Sequence, residues 1–198
     1  MELDHLAIVA ADLSEGAAWC EAALGLPLVA GGRHPQFGTW NRLMSLGPGL
    51  YLEVIAPDPS APPPARPRWF GLDHAGAPRL GNWICRVPSP ELIPPDRGER
   101  LALERGDLRW QIGVPADGHV PAEGGLPTVI SWTAGVHPAE RLPDVGARLA
   151  RLTIRHPEAE RLAAMVLPDL ADPRVTYETA AEPGLSAVIA TPSGERLI

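Results

Sequence analysis

Two largely apolar segments lie near the start of the chain, residues 3–10 and 50–56, and they include the ionisable side chains of His5 and Glu53, respectively. Their alternation is typical of β-strands, in which successive side chains point to opposite faces of a sheet. Leu6 then faces a core while His5 faces the other way. If the two strands pair in one sheet, His5 and Glu53 can meet on its face away from the helices.

The intervening residues predict a β-α-β-β-β unit. A helix is predicted over 13–24, because Asp12 is a suitable N-cap and Gly25 can end the helix in a left-handed conformation. Two further strands are predicted over 28–33 and 40–46, before the strand that carries the glutamate.

The same order recurs along the chain and predicts an internal repeat of about fifty residues. The modules span 1–56, 79–135 and 148–198, and a stiff proline-rich linker, 57–67, follows the first. In the second module, prolines occupy the place of the helix. The third has a predicted helix over 157–167.

Composition narrows the function classes. The 198 residues suit one domain, and a net charge of −7 argues against nucleic acid or an anionic membrane as partner. No apolar run could span a bilayer, no secretory signal is visible, and the absence of lysine excludes Schiff-base lysine chemistry. Cys20 and Cys85 are predicted to be buried free thiols, which favours a cytoplasmic location.

Several polar and aromatic residues could line a site around His5 and Glu53. Thr39, Asn41 and Tyr51 share their face, and Trp40 borders a glycine-rich loop that could act as a lid. The second module offers Asn82, Ser131, Arg109 and Gln111, of which the arginine could receive a carboxylate or phosphate. Structural alternatives are turn chemistry for the threonine and asparagine and a solvated strand edge for Arg109.

Histidine precedes proline three times, at 34–35, 137–138 and 156–157. For His137 and His156 the pattern predicts capping of a helix or turn rather than catalysis. His34 differs because its loop borders the predicted pocket.

The segments Leu-Asp-His-Leu at 3–6, Gly-Thr-Trp-Asn-Arg at 38–42 and Tyr-Leu-Glu-Val-Ile at 51–55 resemble the glyoxalase-like domain of the vicinal oxygen chelate superfamily. Segments 106–110 and 137–143 also resemble this branch. The resemblance implies an α+β fold in which repeated βαβββ modules form a curved mixed sheet with helices on its outer face. It also implies metal-ligand positions at His5 and Glu53, and it makes a homodimer plausible.

The second module departs from that ligand pattern. Its matching positions are Asn82 and Ser131 or a neighbour, and those of the third module are Arg151 and roughly Ile198. Two protein ligands rarely hold a catalytic divalent ion. A divalent metal ion (Zn, Ni, Mn or Fe) at His5 and Glu53 therefore remains open.

Two functions follow from the resemblance. The first is a glyoxalase-like lyase or isomerase, in which His5 and Glu53 handle a proton at a carbon next to an oxygen function of a small molecule. The second is a non-catalytic protein that binds and sequesters a small molecule, as antibiotic-resistance members of the superfamily do. A structural domain with a vestigial site is a third possibility.

Overall fold

The computed structural model describes residues 1–198 and contains two β-sheets. The first module supplies β1 (Glu2–Val9), α1 (Leu13–Leu24), β2 (Val29–His34), β3 (Thr39–Ser45) and β4 (Tyr51–Pro57). Asp12 accepts hydrogen bonds from the Ser14 and Glu15 amides, and Gly25 ends the helix at φ 69°. The caps predicted for this helix are therefore confirmed.

The second module completes an eight-stranded mixed sheet. It supplies β5 (Arg79–Arg86), β6 (Glu99–Arg105), β7 (Leu108–Val114) and β8 (Thr128–Ala134), followed by the short helix α2 (Pro138–Arg141). The strand order is β2-β3-β4-β1-β5-β8-β7-β6. The first strands of the two modules, β1 and β5, pair antiparallel at the centre, and each runs parallel to the last strand of its own module.

The third module has the predicted order of elements but does not extend this sheet. It contains β9 (Arg148–His156), α3 (Ala159–Leu170), β10 (Val175–Thr179), β11 (Gly184–Thr191) and β12 (Gly194–Leu197). These strands form a separate sheet in the order β10-β9-β11-β12. The chain returns from α3 directly beside β9 as a parallel strand, so the first strand becomes internal rather than pairing with the last.

The outer face of the large sheet is covered by α1 and the third module, which together bury the larger hydrophobic core. The third module also covers the position where the second module lacks a helix. Prolines leave only two short 3₁₀ turns between β5 and β6, and Trp83 on β5 packs instead with residues of the second sheet. The indole N–H of Trp83 donates to the Gly124 carbonyl, and Tyr177 of β10 bonds the neighbouring Gly125.

The inner, concave face holds a second apolar cluster. After the proline-rich linker, a 3₁₀ turn at Trp69–His74 places Trp69 and Phe70 against Trp110 and Ile130 of the sheet. Trp69 and Phe70 fill part of the concave face, and the space that remains is a cavity. Both cysteines are buried and unpaired, as predicted. No helix is long and apolar enough to cross a membrane.

Candidate active site

The cavity on the concave face joins ionisable side chains to an aromatic wall. The cavity has a volume of about 30 Å³. The lining consists of His5, His34, Asn41, Leu43, Tyr51, Glu53, Trp69, Phe70, Arg105, Trp110, Ile112, Ile130 and Trp132. Apolar and aromatic side chains with a few polar groups are the usual lining of a small-molecule site, and a ligand larger than water would extend from this cavity into the open cleft beside it.

His5 and Glu53 meet in this cavity, as the strand pattern predicts. In the parallel pairing of β1 and β4, His5 lies opposite Tyr51 and Ala7 lies opposite Glu53. The His5 Nε2 and Glu53 Oε2 atoms are 3.7 Å apart, and both residues are 5% exposed. This distance exceeds that of a hydrogen bond, so the two atoms face each other without bonding.

A β-bulge brings Asp4 into the same site. The register between β1 and β5 shifts between Leu3 and His5, which leaves Asp4 without an opposing residue. Such a bulge disrupts the strict alternation of side chains along a strand. The Asp4 carboxylate can consequently reach the ring of its neighbour, and its Oδ1 atom lies 2.6 Å from Nδ1 of His5.

Asp4 is a fully buried acceptor for three side chains. Besides His5, its Oδ2 accepts hydrogen bonds from Nε1 of Trp132 at 3.0 Å and from Nε2 of His137 at 2.9 Å. Burial alone would raise the pKa of Asp4, but the hydrogen bonds from His137 and His5 hold it well below its ordinary value. Asp4 is therefore an anion that only accepts hydrogen bonds.

This anion fixes the tautomer of His5. Since Asp4 can only accept, Nδ1 of His5 must carry the proton, and Nε2 of a neutral ring then presents a lone pair to the cavity. The same lone pair faces an oxygen of Glu53 at 3.7 Å. Nε2 of His5 and Oε2 of Glu53 are both acceptors, so a ligand that donates a hydrogen bond suits the space between them.

Asn41 orients the Glu53 carboxylate. Its side-chain oxygen accepts the Gly32 amide at 2.6 Å, so its NH₂ group donates to Oε1 of Glu53. The register between β2 and β3 shifts across Gly31 and Gly32, and a Cβ atom at Gly31 would overlap the Asn41 side chain. A glycine bulge in β2 thus leaves Oε2 of Glu53 to face His5.

Tyr51 packs against one face of the His5 ring. The two rings stack with centroids 4.4 Å apart and an interplanar angle of 15°. Burial raises the pKa of Tyr51 well above its ordinary value, and the charges of Asp4 and Glu53 act in the same direction. The phenol is therefore neutral, and the imidazole is held on its edge by Asp4 and on its face by Tyr51.

His34 and Arg105 form the far end of the cavity. Burial, together with the Arg105 charge, lowers the pKa of His34 to about 3, so its ring is neutral. Its Nε2 accepts a hydrogen bond from Arg105 at 3.0 Å, and its Nδ1 lies 3.2 Å from the Thr39 hydroxyl. Thr39 is thus adjacent to the cavity and supports its wall rather than lining it.

Trp40 does not lie with the other predicted residues. It follows Thr39 in β3, and strand alternation sends its ring to the opposite face, where it packs against the larger core. The Arg33 guanidinium lies 5.1 Å from its centroid. Trp40 was predicted among the residues that line the site, but for this reason it does not line the cavity.

The second module contains a counterpart of the His5–Glu53 pair, but its two side chains bond to each other and do not line the cavity. Just as Ala7 pairs with Glu53, Ile84 pairs with Thr128, so Asn82 and Thr128 occupy the corresponding positions. Asn82 donates to the Thr128 hydroxyl at 2.9 Å and accepts the adjacent Trp83 amide. Both side chains are buried and neither lines the cavity.

The sequence pattern assigned Ser131 or a neighbour to the position that Thr128 occupies. It lies three residues further along β8 and does not line the cavity, and its buried hydroxyl has no hydrogen-bond partner. The error arises because register between strands depends on their pairing and not on spacing within one strand.

Arg109 and Gln111 likewise lie outside the cavity. They line an adjacent open cleft of about 670 Å³, which shares His34 and Trp110 with the cavity. Arg109 is exposed and pairs with Glu104 at 2.9 Å. The side chain is solvated, as in the structural alternative given above, but its strand β7 lies inside the sheet and not at an edge.

Three site residues escaped the sequence analysis. Asp4 was missed because strict alternation places it away from His5, and Arg105 because nothing near it indicates a site. His137 caps α2 as predicted, since its Nδ1 accepts the Ala139 amide, but its Nε2 also bonds Asp4. His156 accepts the Glu158 amide in the turn that precedes α3, and it does not line the cavity.

The residues present do not fit a resident divalent cation. No group of three or more His, Cys, Asp or Glu side chains is placed to hold a metal ion. His5 and Glu53 offer two donors, while Asn82 and Thr128 satisfy each other. Catalytic divalent ions usually take at least three protein ligands.

A sequence model of the glyoxalase-like domain family matches residues 3–169, so the chain belongs to this family of the vicinal oxygen chelate superfamily. Family and fold define a small-molecule enzyme or binding protein. No curated protein matches the chain.

Several solved structures are similar to this chain. A hypothetical protein from Staphylococcus aureus has a TM-score of 0.61 at 12% identity, with 92% of this chain and 87% of that chain covered. A methylmalonyl-CoA epimerase from Mycobacterium tuberculosis has a TM-score of 0.46 at 21% identity, over 70% and 91% of the chains. The Mn(II)-bound glyoxalase from Novosphingobium aromaticivorans has a TM-score of 0.49 at 9% identity, over 99% and 81%.

Proposed function

We propose that this protein is an enzyme of the lyase or isomerase type, which moves a proton at a carbon next to an oxygen function of a small molecule. The observation that carries the proposal is the alignment of Asp4, His5 and Glu53. The buried Asp4 anion holds the proton on Nδ1 of His5 and directs the Nε2 lone pair into the cavity. This is the arrangement expected of a general base.

The proposed reaction uses this chain's own groups. His5 Nε2 removes the proton from carbon, and the Asp4 and Glu53 carboxylates on either side of the ring stabilise the resulting imidazolium. Return of the proton to a neighbouring carbon, or to the opposite face of the same carbon, completes an isomerisation. In an elimination, the neighbouring group leaves with its bonding electron pair and takes up the proton held by His5. Asp4 acts as a positioning residue. No metal takes part in this proposal.

Exchange of carbon-bound hydrogen tests the proposal before any product is identified. In D₂O, the wild-type protein should catalyse deuterium incorporation next to the carbonyl or hydroxyl group of at least one member of a panel of small oxo and hydroxy compounds, followed by proton NMR. His5→Gln should lower that rate at least ~100-fold. His74→Gln, a change at an exposed histidine, is the matched control. Exchange that survives in His5→Gln would remove the base from the mechanism.

The role of Asp4 has its own signature. In the wild type, ¹⁵N chemical shifts of the His5 ring should report the Nδ1–H tautomer when the ring is neutral. In Asp4→Asn the amide NH₂ competes at the same contact, so the tautomers should mix. A purely structural role for Asp4 would leave the tautomer unchanged.

The alternative function is binding without catalysis. It is favoured by the apolar and aromatic wall of Leu43, Ile112, Ile130, Trp110 and Trp132, which suits sequestration of a small molecule. A binding protein should be stabilised against thermal unfolding by a ligand while leaving its hydrogens unexchanged. The homodimer and the cytoplasmic location stay predictions, and light scattering of the purified protein tests the first.

A further inference from the structure

Arg105 is the one cationic side chain of fixed charge in the cavity. Besides the arginine, the ionisable groups that line the cavity are His5, His34, Tyr51 and Glu53. The imidazole of His34 and the phenol of Tyr51 are neutral, for the reasons given above. Positive charge in the cavity is therefore concentrated at Arg105, beside the neutral ring of His34.

This guanidinium has no anionic partner within the protein. Its hydrogen bond to His34 ends on a neutral ring nitrogen, and no carboxylate forms a salt bridge with it. It is also only half-buried. By contrast, Arg109 on the next strand is paired with Glu104. A guanidinium has five N–H donors, so Arg105 retains donors for a ligand.

The backbone is shaped to hold Arg105 in this position. β2 and β6, the two edge strands of the large sheet, come into contact, and the arginine side chain crosses from β6 onto Gly32 of β2. A Cβ atom at Gly32 would lie 2.5 Å from Cδ and 2.7 Å from Nε of Arg105. Glycine at this site therefore allows the arginine stem to lie against the strand.

We propose that Arg105 binds the carboxylate of the substrate, so that the site takes a small monocarboxylic acid whose reacting carbon lies near His5. This rests on the proposed function. A planar carboxylate matches two parallel guanidinium donors. A dianion such as phosphate fits less well, because the cavity offers one fixed cation and also contains the Glu53 carboxylate.

Calorimetric titration tests the proposal, with two- to six-carbon 2-oxo and 2-hydroxy acids, the neutral amides of the same acids, and inorganic phosphate as probes. At least one acid should bind the wild type more tightly than its amide and than phosphate. Arg105→Met should weaken that binding at least ~10-fold, since the lost hydrogen bonds involve two charged groups. Arg105→Lys should retain part of it, and Arg100→Met, on an exposed arginine of the same strand, should retain all of it.

Three results would overturn the proposal. They are equal binding of acids and amides, tighter binding of phosphate, and loss of acid binding in Arg109→Met but not in Arg105→Met. The outcome is separable from that of the proposed function. Acid binding without deuterium exchange supports Arg105 and contradicts the base, whereas exchange confined to neutral compounds does the reverse.

Discussion

The two halves of the large sheet place different chemistry at equivalent positions. In the first half, His5 and Glu53 face each other across 3.7 Å and open into a cavity. In the second half, Asn82 and Thr128 form a buried hydrogen bond of 2.9 Å and face no cavity. In the first pair two acceptor atoms face each other, whereas in the second a donor meets an acceptor. We infer that the first half carries the function and that the polar pair of the second half stabilises the fold.

The largest effect on stability should come from a change at Asp4, which holds His5 in the first half of the sheet. Asp4→Asn replaces a buried anion that accepts from His5, Trp132 and His137 by a group with its own donors. The free energy of unfolding at pH 7 should fall by about 3 kcal/mol, in the range for breaking a buried pair. Urea unfolding measures it, with Asp169→Asn at an exposed aspartate as control.

The direction in which this loss of unfolding free energy changes with pH can also be predicted. The pKa of Asp4 is lower in the folded protein than the ordinary 3.8, so its contribution is present above about pH 4 and is lost as the pH falls towards the folded-state pKa. The difference in stability between the wild type and Asp4→Asn should shrink between pH 5 and pH 2. A constant difference would show that the charge of Asp4 contributes nothing.

A change at Glu53 should lower activity without lowering stability. In Glu53→Gln, the oxygen of the new amide can still accept from Asn41, and its NH₂ group can donate to the lone pair on Nε2 of His5. We expect deuterium exchange to fall ~100-fold, while the free energy of unfolding stays the same or rises by up to about 1 kcal/mol. A clear loss of stability would mean that the pair of the first half is structural as well.

Thr128 should show the opposite behaviour. Thr128→Val keeps the shape of the side chain but leaves the Asn82 NH₂ group buried without an acceptor. The free energy of unfolding should fall by about 1–3 kcal/mol, and the rate of deuterium exchange should stay within about twofold, because neither residue lines the cavity. A rate loss as large as that of Glu53→Gln would contradict the division between the halves.

Local sequence patterns were sufficient to predict individual secondary-structure elements and the His5–Glu53 pair of the site. The alternation in β1 and β4 placed His5 and Glu53 on one face, and the Asp12 and Gly25 signals gave both ends of α1. Each of these inferences depends on residues a few positions apart, which strand and helix geometry relate directly.

The rest depends on contacts that no local pattern specifies. Asp4 reaches His5 because β1 has a bulge opposite β5, and Thr128 rather than Ser131 matches Glu53 because of how β8 pairs. Arg105 enters the cavity because the two edge strands meet, although they lie far apart in the sequence. The separate sheet of the third module likewise reflects the pairing of β9 and not the order of its elements.

The smallest effect concerns the meeting of those edge strands. Gly32→Ala places a methyl group against the Arg105 side chain, whose flexible stem can move aside by a small amount. We expect binding of the carboxylic acid identified by titration to weaken about three- to tenfold, with the melting temperature changed by only a few degrees. Gly76→Ala, at an exposed glycine with nothing near its Cβ position, is the control. Because Gly32 contacts Arg105 but does not line the cavity, unchanged binding would show that the anion does not depend on where Arg105 lies.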